Sequence, residues 1–129
     1  MNHTILERNI IAIVDDDAPL REALGSLLNA AGFSTQVFAS AEDFLNSAHR
    51  QNTICLVLDI RLPGMNGIEL QRALNASGSS IPIVFITAHG DETVKDLVMS
   101  SGAAAFLNKP VRSSVLLKEI CSALKSCST

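Results

Sequence analysis

The sequence predicts an α/β domain with a doubly wound, parallel five-stranded sheet, and three observations support this fold class. Segments with strand-like and helix-like spacing of apolar residues alternate along the whole chain of 129 residues. Two of the strand-like segments are continuous apolar runs, which are typical of strands buried on both faces. Hydrophobic residues make up 47% of the chain, which is enough for a core. We therefore expect one domain over residues 1–129, without a linker.

The first strand is the apolar run at residues 10–14, and three consecutive aspartates follow it directly. A helix is predicted next, because apolar residues recur at helical spacing and Pro19 is tolerated in the first turn. Gly32 is expected to close this helix. The apolar positions are Leu20, Ala23, Leu24, Leu27, Leu28 and Ala31.

The second strand, residues 33–38, alternates apolar with polar side chains, so it is predicted at an edge of the sheet with one wetter face. Ser40 opens a short second helix in a pattern that resembles a capping box, and this helix is expected to extend through Ala48. The third strand is the apolar run 54–58, which delivers Asp59 to its carboxyl end.

The third helix is predicted from about residue 67 to residue 76. The fourth strand covers residues 81–86, with Pro82 confined to its start. A fourth helix begins at about Asp91 and ends at Gly102. Its inward-facing residues are expected to be Val94, Leu97 and Val98.

The fifth strand covers residues 103–107, and Lys109 and Pro110 follow it. The fifth helix carries apolar residues at helical spacing: Val115, Leu116, Ile120 and Leu124. Because the first, third and fourth strands have the pattern of central strands, the predicted order in the sheet is 2-1-3-4-5, with right-handed crossovers.

Asp15, Asp16 and Asp59 follow the first and third strands, between which this strand order reverses. Open α/β sheets bind ligands at such a point, beyond the carboxyl ends of the strands. A group of carboxylate oxygens there suits Mg²⁺ or another hard divalent cation. The alternative is that Asp17 caps the first helix and its two neighbours are solvated turn residues. Asp17 itself is better placed as a cap than as a metal ligand.

Thr87 and Lys109 follow the fourth and fifth strands, so four of the five strands deliver a chemically active side chain to one edge. Each of these residues alone is also typical of an ordinary surface. Together, a metal held by carboxylates, a carboxylate nucleophile, a hydroxyl and an ammonium group are what stabilises a phosphoryl group during its transfer.

Charge and cysteine content exclude several function classes. A net charge of −3 with scattered basic residues offers no surface for nucleic acid or an anionic membrane. No apolar run approaches the roughly 20 residues of a membrane span, and the N-terminus lacks a signal-peptide pattern, so a cytoplasmic protein is expected. Three cysteines without Cys-x-x-Cys spacing indicate neither a disulfide framework nor a zinc site. Cys55 is expected in the core, and Cys127 is a candidate reactive thiol. The histidines share no metal-ligand spacing: His3, His49 and His89.

Four motifs resemble, in their order, those of receiver domains of bacterial two-component response regulators, and within that family those of FixJ-type regulators. They are VDDD at residues 14–17, LDIRLPGMNG at 58–67, TAHGD at 87–91 and FLNKP at 106–110. The resemblance covers nearly the whole chain. It implies a flavodoxin-like three-layer (βα)5 sandwich.

The resemblance implies that Asp59 is the phosphoacceptor, which attacks the phosphohistidine of a sensor histidine kinase. It also implies a bound Mg²⁺, for which Mn²⁺ can substitute. The direct ligands would be Asp16, Asp59 and the backbone carbonyl of Arg61, whereas Asp15 would act mainly through a metal-bound water.

Thr87 and the backbone amide of Ala88 would then hydrogen-bond the phosphoryl oxygens. Lys109 would pair with the phosphate or, before phosphorylation, with Asp59. The Lys109–Pro110 peptide bond is cis in such domains, which the small trans preference of X-Pro bonds permits.

Phe106 occupies the aromatic switch position of the family and would move together with Thr87, although a large apolar residue that ends an edge strand explains it equally well. The output surface would be the face formed by the fourth helix, fifth strand and fifth helix, through which a homodimer is expected on phosphorylation. Its candidate residues are Val98, Ala103, Val115 and Leu116. The resemblance also implies that Arg61 and His89 stand at positions that vary within the family, where side chains can shield or admit the hydrolytic water.

The expected output is regulation of transcription through a helix-turn-helix domain that these 129 residues do not include, so no direct binding of nucleic acid is expected. The chain would catalyse only its own phosphorylation and dephosphorylation. A phosphatase of the haloacid dehalogenase type is a competing class, but it needs a second aspartate where Arg61 stands. A third class, a phosphate-independent interaction module, usually lacks one of the reactive residues, and none is missing here.

Overall fold

The structure, a computed structural model, describes residues 10–88 and 90–125. Strands and helices alternate through this part of the chain, as predicted. In chain order they are β1 (Ile10–Val14), α1 (Ala18–Ala30), β2 (Ser34–Phe38), α2 (Ala41–Leu45), β3 (Thr53–Asp59), α3 (Gly67–Ala76), β4 (Ile83–Thr87), α4 (Glu92–Ser100), β5 (Ala105–Asn108) and α5 (Ser113–Leu124).

The five strands form one parallel sheet in the order β2-β1-β3-β4-β5, which confirms the predicted topology. Val14 pairs with Leu58 in the register of β1 and β3, so the aspartates that follow these two residues emerge side by side. Thr87 pairs with Asn108 where β4 and β5 end. All four reactive strand ends therefore meet at one edge of the sheet.

Helices cover both faces of the sheet, and successive residues of each strand contribute to opposite faces. On one face, α2, α3 and α4 pack on alternate residues of the central strands, with Phe44, Leu70, Leu74, Val98, Leu56, Leu58 and Phe85 in this layer of the core. On the other face α1 and α5 pack, with Leu24, Leu28, Leu116, Ile120, Ile11, Ile13, Val57 and Ile86. Cys55 lies in this second layer and is fully buried, which confirms its prediction as a core residue.

Side-chain caps fix where the helices begin. Asp17 Oδ1 accepts a hydrogen bond from the Leu20 amide at 3.2 Å, so the prediction that Asp17 caps the first helix is confirmed. Ser40 caps α2 through the Asp43 amide at 3.0 Å. A reciprocal capping box occurs instead at α3, where the pair is formed by Asn66 and Glu69.

The predicted limits of three elements were wrong. Helix α2 ends at Leu45 rather than Ala48, and the chain forms a 3₁₀ turn at Arg50–Asn52 before β3. Strand β4 begins at Ile83, because Pro82 has no amide to donate and contributes only its carbonyl, which accepts from the Leu56 amide. Strand β5 begins at Ala105, because the preceding residues still close the turn after α4.

The burial of the fourth helix also differs from the prediction. Val98 is its buried residue, whereas Leu97, which was expected to face inward, is 39% exposed. Adjacent helical residues point about 100° apart, so α4 buries the row that contains Val98 and leaves its neighbour outside. Of the residues predicted for an output face, Val98, Ala103 and Leu116 belong to the core, and Val115 is 38% exposed.

Within residues 10–88 and 90–125, no helix has the length and apolar character needed to cross a membrane. His3, His89 and Cys127 lie outside the described residues.

Candidate functional site

Three carboxylates meet at the carboxyl edge of the sheet, where the strand order reverses. Asp15, Asp16 and Asp59 each contribute an oxygen atom, and these atoms all lie within 4.8 Å of one another. Asp15 is fully buried and Asp59 is 5% exposed, whereas Asp16 is exposed to solvent. The structure therefore brings together the three acids that the strand pattern predicted, and it gives each a different environment.

Lys109 supplies a positive charge between two of these acids. Its Nζ donates a hydrogen bond to Asp59 Oδ2 at 3.0 Å and lies 2.9 Å from Asp15 Oδ2. The Lys109 amide donates to the Thr87 carbonyl at 2.9 Å, which anchors the end of β5 to the end of β4. The peptide bond to Pro110 is cis, as expected from the resemblance. The expected pairing of Lys109 with Asp59 is present, and Asp15 is a second partner that was not predicted.

The charges in this pocket influence one another. Burial raises the pKa of Asp59, the hydrogen bond from Lys109 lowers it, and the charge of Asp15 raises it, so that the net direction is upward. For Lys109, burial lowers the pKa, but the bonds to Asp15 and Asp59 outweigh this effect and raise it. The lysine therefore stays an ammonium group at neutral pH.

The balance of charge favours a further cation. The oxygen atoms of these carboxylates lie within 4.8 Å of one another, so two charged groups repel by roughly 3–4 kcal/mol or more at an effective dielectric constant of about 20. One ammonium group faces three acids, so negative charge remains in excess when all three acids are ionised. A divalent cation would compensate this excess.

The available oxygen atoms suit such a cation. Asp15 Oδ1 accepts from the Asp17 amide at 2.9 Å, but no donor among the described residues has hydrogen-bond geometry at the buried Oδ2, which has only the ion pair with Lys109. Asp59 Oδ1 accepts one long hydrogen bond, from the Arg61 amide at 3.3 Å. Carboxylates with unused lone pairs are hard ligands, which Mg²⁺ and Mn²⁺ prefer. The residues present therefore fit a magnesium-type site.

The remaining predicted residues lie around this pocket. Thr87 is 1% exposed at the end of β4, one residue beyond Ile86, which pairs with Asp59. Ala88 follows it and is exposed. Phe106 is half-buried on β5, where it pairs with Phe85. The Arg61 side chain is exposed to solvent.

Two residues that hold the backbone around Asp59 were not predicted from the sequence to have this role. A Cβ atom at Gly67 would lie 2.3 Å from the Asp59 carbonyl oxygen, so α3 begins directly against the backbone of the strand that carries this acid. Glu42 Oε2 accepts from the Met65 amide at 2.8 Å and thereby holds the loop that follows Asp59. The Asn66-Gly67 pair, which marks a turn into a helix, was a usable signal for the glycine. Nothing in the sequence indicates that Glu42 reaches this loop.

A cavity of about 600 Å³ lies at the opposite edge of the sheet, between the turn before β3 and the loop before β4. Its lining includes Arg50, Ser79 and Pro82 but none of the acids or their partners. The reactive groups of the described residues are thus concentrated in the open acidic pocket and not in this cavity.

Comparison with known proteins finds relatives along most of the chain. Residues 11–121 match the family described as "Response regulator receiver domain". The response regulator protein TodT of Pseudomonas putida is 42% identical over 125 residues, which cover 97% of this chain and 55% of TodT. The chain spans about half the length of the curated relatives it matches.

Two solved structures show the same likeness in three dimensions. The structure of the response regulator StyR is 46% identical, has a TM-score of 0.82 and matches 91% of this chain and 60% of StyR. The crystal structure of FixJ-N is 35% identical, has a TM-score of 0.80 and matches 94% of this chain and 97% of FixJ-N.

Proposed function

Because the chain belongs to the response regulator receiver domain family, we propose that it is a phosphorylation-controlled switch of a two-component phosphorelay. Phosphorylation-based signalling is the activity that this family implies, and its members are regulators rather than classical enzymes. The donor would be a phosphohistidine of a sensor histidine kinase, and the acceptor would be Asp59. The observation that carries this assignment is the hydrogen bond between Lys109 and Asp59, beside the end of β4.

Asp59 is better suited as acceptor than its two acidic neighbours. Asp15 is fully buried and its Oδ1 is held by the Asp17 amide, so it cannot approach an incoming phosphorus atom. Asp16 is exposed, where water screens it. Asp59 is held by Lys109 on one oxygen and by a long bond on the other, so Oδ1 retains lone pairs for attack. As an oxygen of Asp59 forms its bond to phosphorus, the bond from phosphorus to the histidine nitrogen breaks, and that nitrogen keeps the electron pair.

Magnesium would be bound by Asp16, by Asp59 and by the backbone carbonyl of Arg61, with Asp15 acting through a water. When bound, the ion supplies positive charge next to the phosphoryl oxygens, and Mn²⁺ would do the same. The chain itself orients this pocket, because the Asp17 amide fixes one Asp15 oxygen and the guanidinium group of Arg21 donates to the Asp15 carbonyl at 2.8 Å.

Lys109, Thr87 and the amide of Ala88 would receive the transferred group. The Lys109 ammonium group, which contacts Asp59 Oδ2 in this structure, would move to a phosphoryl oxygen. The Thr87 hydroxyl would turn toward a second oxygen, and Phe106 would follow it. This movement would change the face formed by α4, β5 and α5 and would favour a homodimer. The helices α4 and α5 expose Leu97, Met99 and Val115.

Regulation of transcription would then be the task of a further domain of the whole protein, and the receiver itself would contact no nucleic acid and no membrane. A cytoplasmic location is part of the same proposal. A hydrolase that turns over free substrates is less favoured, because Arg61 stands where a phosphatase of the haloacid dehalogenase type needs a second aspartate.

The proposal is tested by incubation with acetyl phosphate and Mg²⁺, followed by measurement of the intact mass. We expect one added phosphoryl group on the wild type, and none on Asp59→Asn or after removal of the metal with EDTA. Asp17→Asn is the matched control, since it changes a neighbouring acid that only caps α1, and it should be labelled like the wild type. Equal labelling of wild type and Asp59→Asn would refute the proposal.

A further inference from the structure

Gly90 borders the ring of Phe106 and the methyl group of Thr87 at the same time. A Cβ atom at this position would lie 2.4 Å from Cζ and 2.6 Å from Cε2 of Phe106, and 2.8 Å from Cγ2 of Thr87. Real Cβ atoms do not approach other heavy atoms to less than 3.0 Å. The ring and the methyl group therefore use the space that a side chain at position 90 would occupy.

This glycine is required for space and not for its backbone conformation. The glycines with left-handed backbone are Gly32, Gly64, Gly78 and Gly102 among the described residues, and Gly90 is not one of them. An alanine at position 90 would therefore fit the backbone and disturb only the two side chains above it. Gly25 shows the contrast, because the nearest atom to a Cβ there would be Val37 Cγ1, at an ordinary 3.4 Å.

Thr87 and Phe106, the two side chains next to Gly90 in space, are the pair through which the proposed signal passes. Thr87 is buried at the edge of the acidic pocket, and Phe106 is half-buried on β5, on the output face. On its inner side the ring packs against the core layer that contains Phe85, Val98 and Ala103. A ring that is pushed away from position 90 can therefore move only toward solvent, because the core behind it is filled.

We propose that Gly90 is a positioning residue of the switch: its missing side chain lets the Phe106 ring lie against Thr87, and this contact couples the pocket to the α4–β5–α5 face. The inference rests on the proposed function for the identity of the signal. An alanine at position 90 displaces the ring toward solvent. The mimic still binds at Asp59, because the added methyl group meets the Cγ2 methyl group of Thr87 and not its hydroxyl, but β5 no longer follows the movement of Thr87.

The test uses beryllofluoride with Mg²⁺ as a phosphoryl mimic and two-dimensional NMR of the backbone amides and the Phe106 ring. In the wild type, we expect shifts both at Asp59 and Thr87 and across α4, β5 and α5. In Gly90→Ala, we expect the pocket shifts to persist and the shifts across α4, β5 and α5 to fall by half or more. Gly25→Ala, which adds the same methyl group where nothing obstructs it, should behave like the wild type.

A rescue experiment separates positioning from a general loss of structure. Phe106→Leu lacks the two ring atoms that approach position 90, so the added methyl group meets less resistance in that background. We expect Gly90→Ala to lower the urea midpoint and move the ring resonances of Phe106 in the wild-type background. In the Phe106→Leu background the same change should leave the midpoint nearly constant.

Two results would overturn the inference. If Gly90→Ala leaves the ring resonances in place and transmits the mimic's effect as the wild type does, Gly90 does not position the ring, although the receiver function stands. If the wild type shows no shift at Asp59 and Thr87 with beryllofluoride, the proposed function fails, and with it the signal that Gly90 would couple.

Discussion

Replacing Gly67 with alanine tests how closely α3 packs on the strand that carries Asp59. An added Cβ atom would lie 2.3 Å from the Asp59 carbonyl oxygen and 3.0 Å from Ile60 Cα. Both are backbone atoms, so no side-chain rotation can relieve the contact. The Gly67 amide also donates to the Ile60 carbonyl at 2.9 Å, which holds the two segments together.

The magnitude follows from this geometry. To reach ordinary van der Waals distance, the helix or the strand end must move by about 1 Å, and overpacking of this kind costs about 1–3 kcal/mol. Alanine also lowers the conformational entropy of the unfolded chain relative to glycine, and this effect stabilises the folded state by about 0.5–1 kcal/mol. We therefore expect Gly67→Ala to lower the free energy of unfolding by up to about 2.5 kcal/mol. We also expect it to slow phosphorylation, because the backbone of Asp59 is displaced.

Urea unfolding measured by circular dichroism, without Mg²⁺, is the assay. Gly25→Ala is the matched control, because the same substitution inside α1 makes only ordinary contacts, with Val37 Cγ1 at 3.4 Å and Thr35 Oγ1 at 3.7 Å. We expect this control to raise the free energy of unfolding by up to about 1 kcal/mol. Equal stability of the two alanine variants would show that α3 does not pack closely on the strand that carries Asp59.

Three further predictions follow from the site and the core. Asp16→Ala should weaken Mg²⁺ binding in an NMR titration far more than Asp17→Ala. A larger loss of affinity in Asp17→Ala would mean that the metal ligand is Asp17 and not Asp16. Thr87→Ala should accept phosphate on Asp59 but show a smaller rise in dimer fraction with beryllofluoride by analytical ultracentrifugation. A rise as large as that of the wild type would show that Thr87 does not take part in the switch. Burial raises the pKa of the Cys55 thiol from 9.0 to about 12, so native Cys55 should resist iodoacetamide at pH 8. The unfolded chain loses the proton of this thiol at a lower pH than the folded chain does, so the free energy of unfolding falls as the pH rises from 9.0 toward about 12. Cys55→Ala removes this titration and should lose less stability at alkaline pH.

The features that depend on sequence periodicity were predictable. The patterns of apolar residues identified β1, β3 and β4 as central strands, and the alternating pattern placed β2 at an edge. The strand order then implied that Asp15, Asp16 and Asp59 share one edge, as they do. The four motifs were sufficient to indicate a receiver domain of FixJ type, and the comparisons confirm it.

Features that depend on the path of a loop or the packing of a single side chain were not predictable. Leu97 and Val98 are equally apolar, and only the position of α4 on the sheet decides which of them is buried. Gln71 is polar but 1% exposed, because its amide donates to the Val98 carbonyl at 3.0 Å across two helices. Lys109 contacts Asp15 as well as Asp59. This second contact depends on how closely three strand ends approach one another, which the sequence pattern does not give.

Chemical trapping of the acyl phosphate identifies which aspartate is phosphorylated. The chain is treated with acetyl phosphate and Mg²⁺, the aspartyl phosphate is reduced with borohydride to homoserine, and the modified residue is identified by tandem mass spectrometry. We expect homoserine at position 59 and at neither position 15 nor position 16. Homoserine at either of those positions, with Asp59 unmodified, would contradict it.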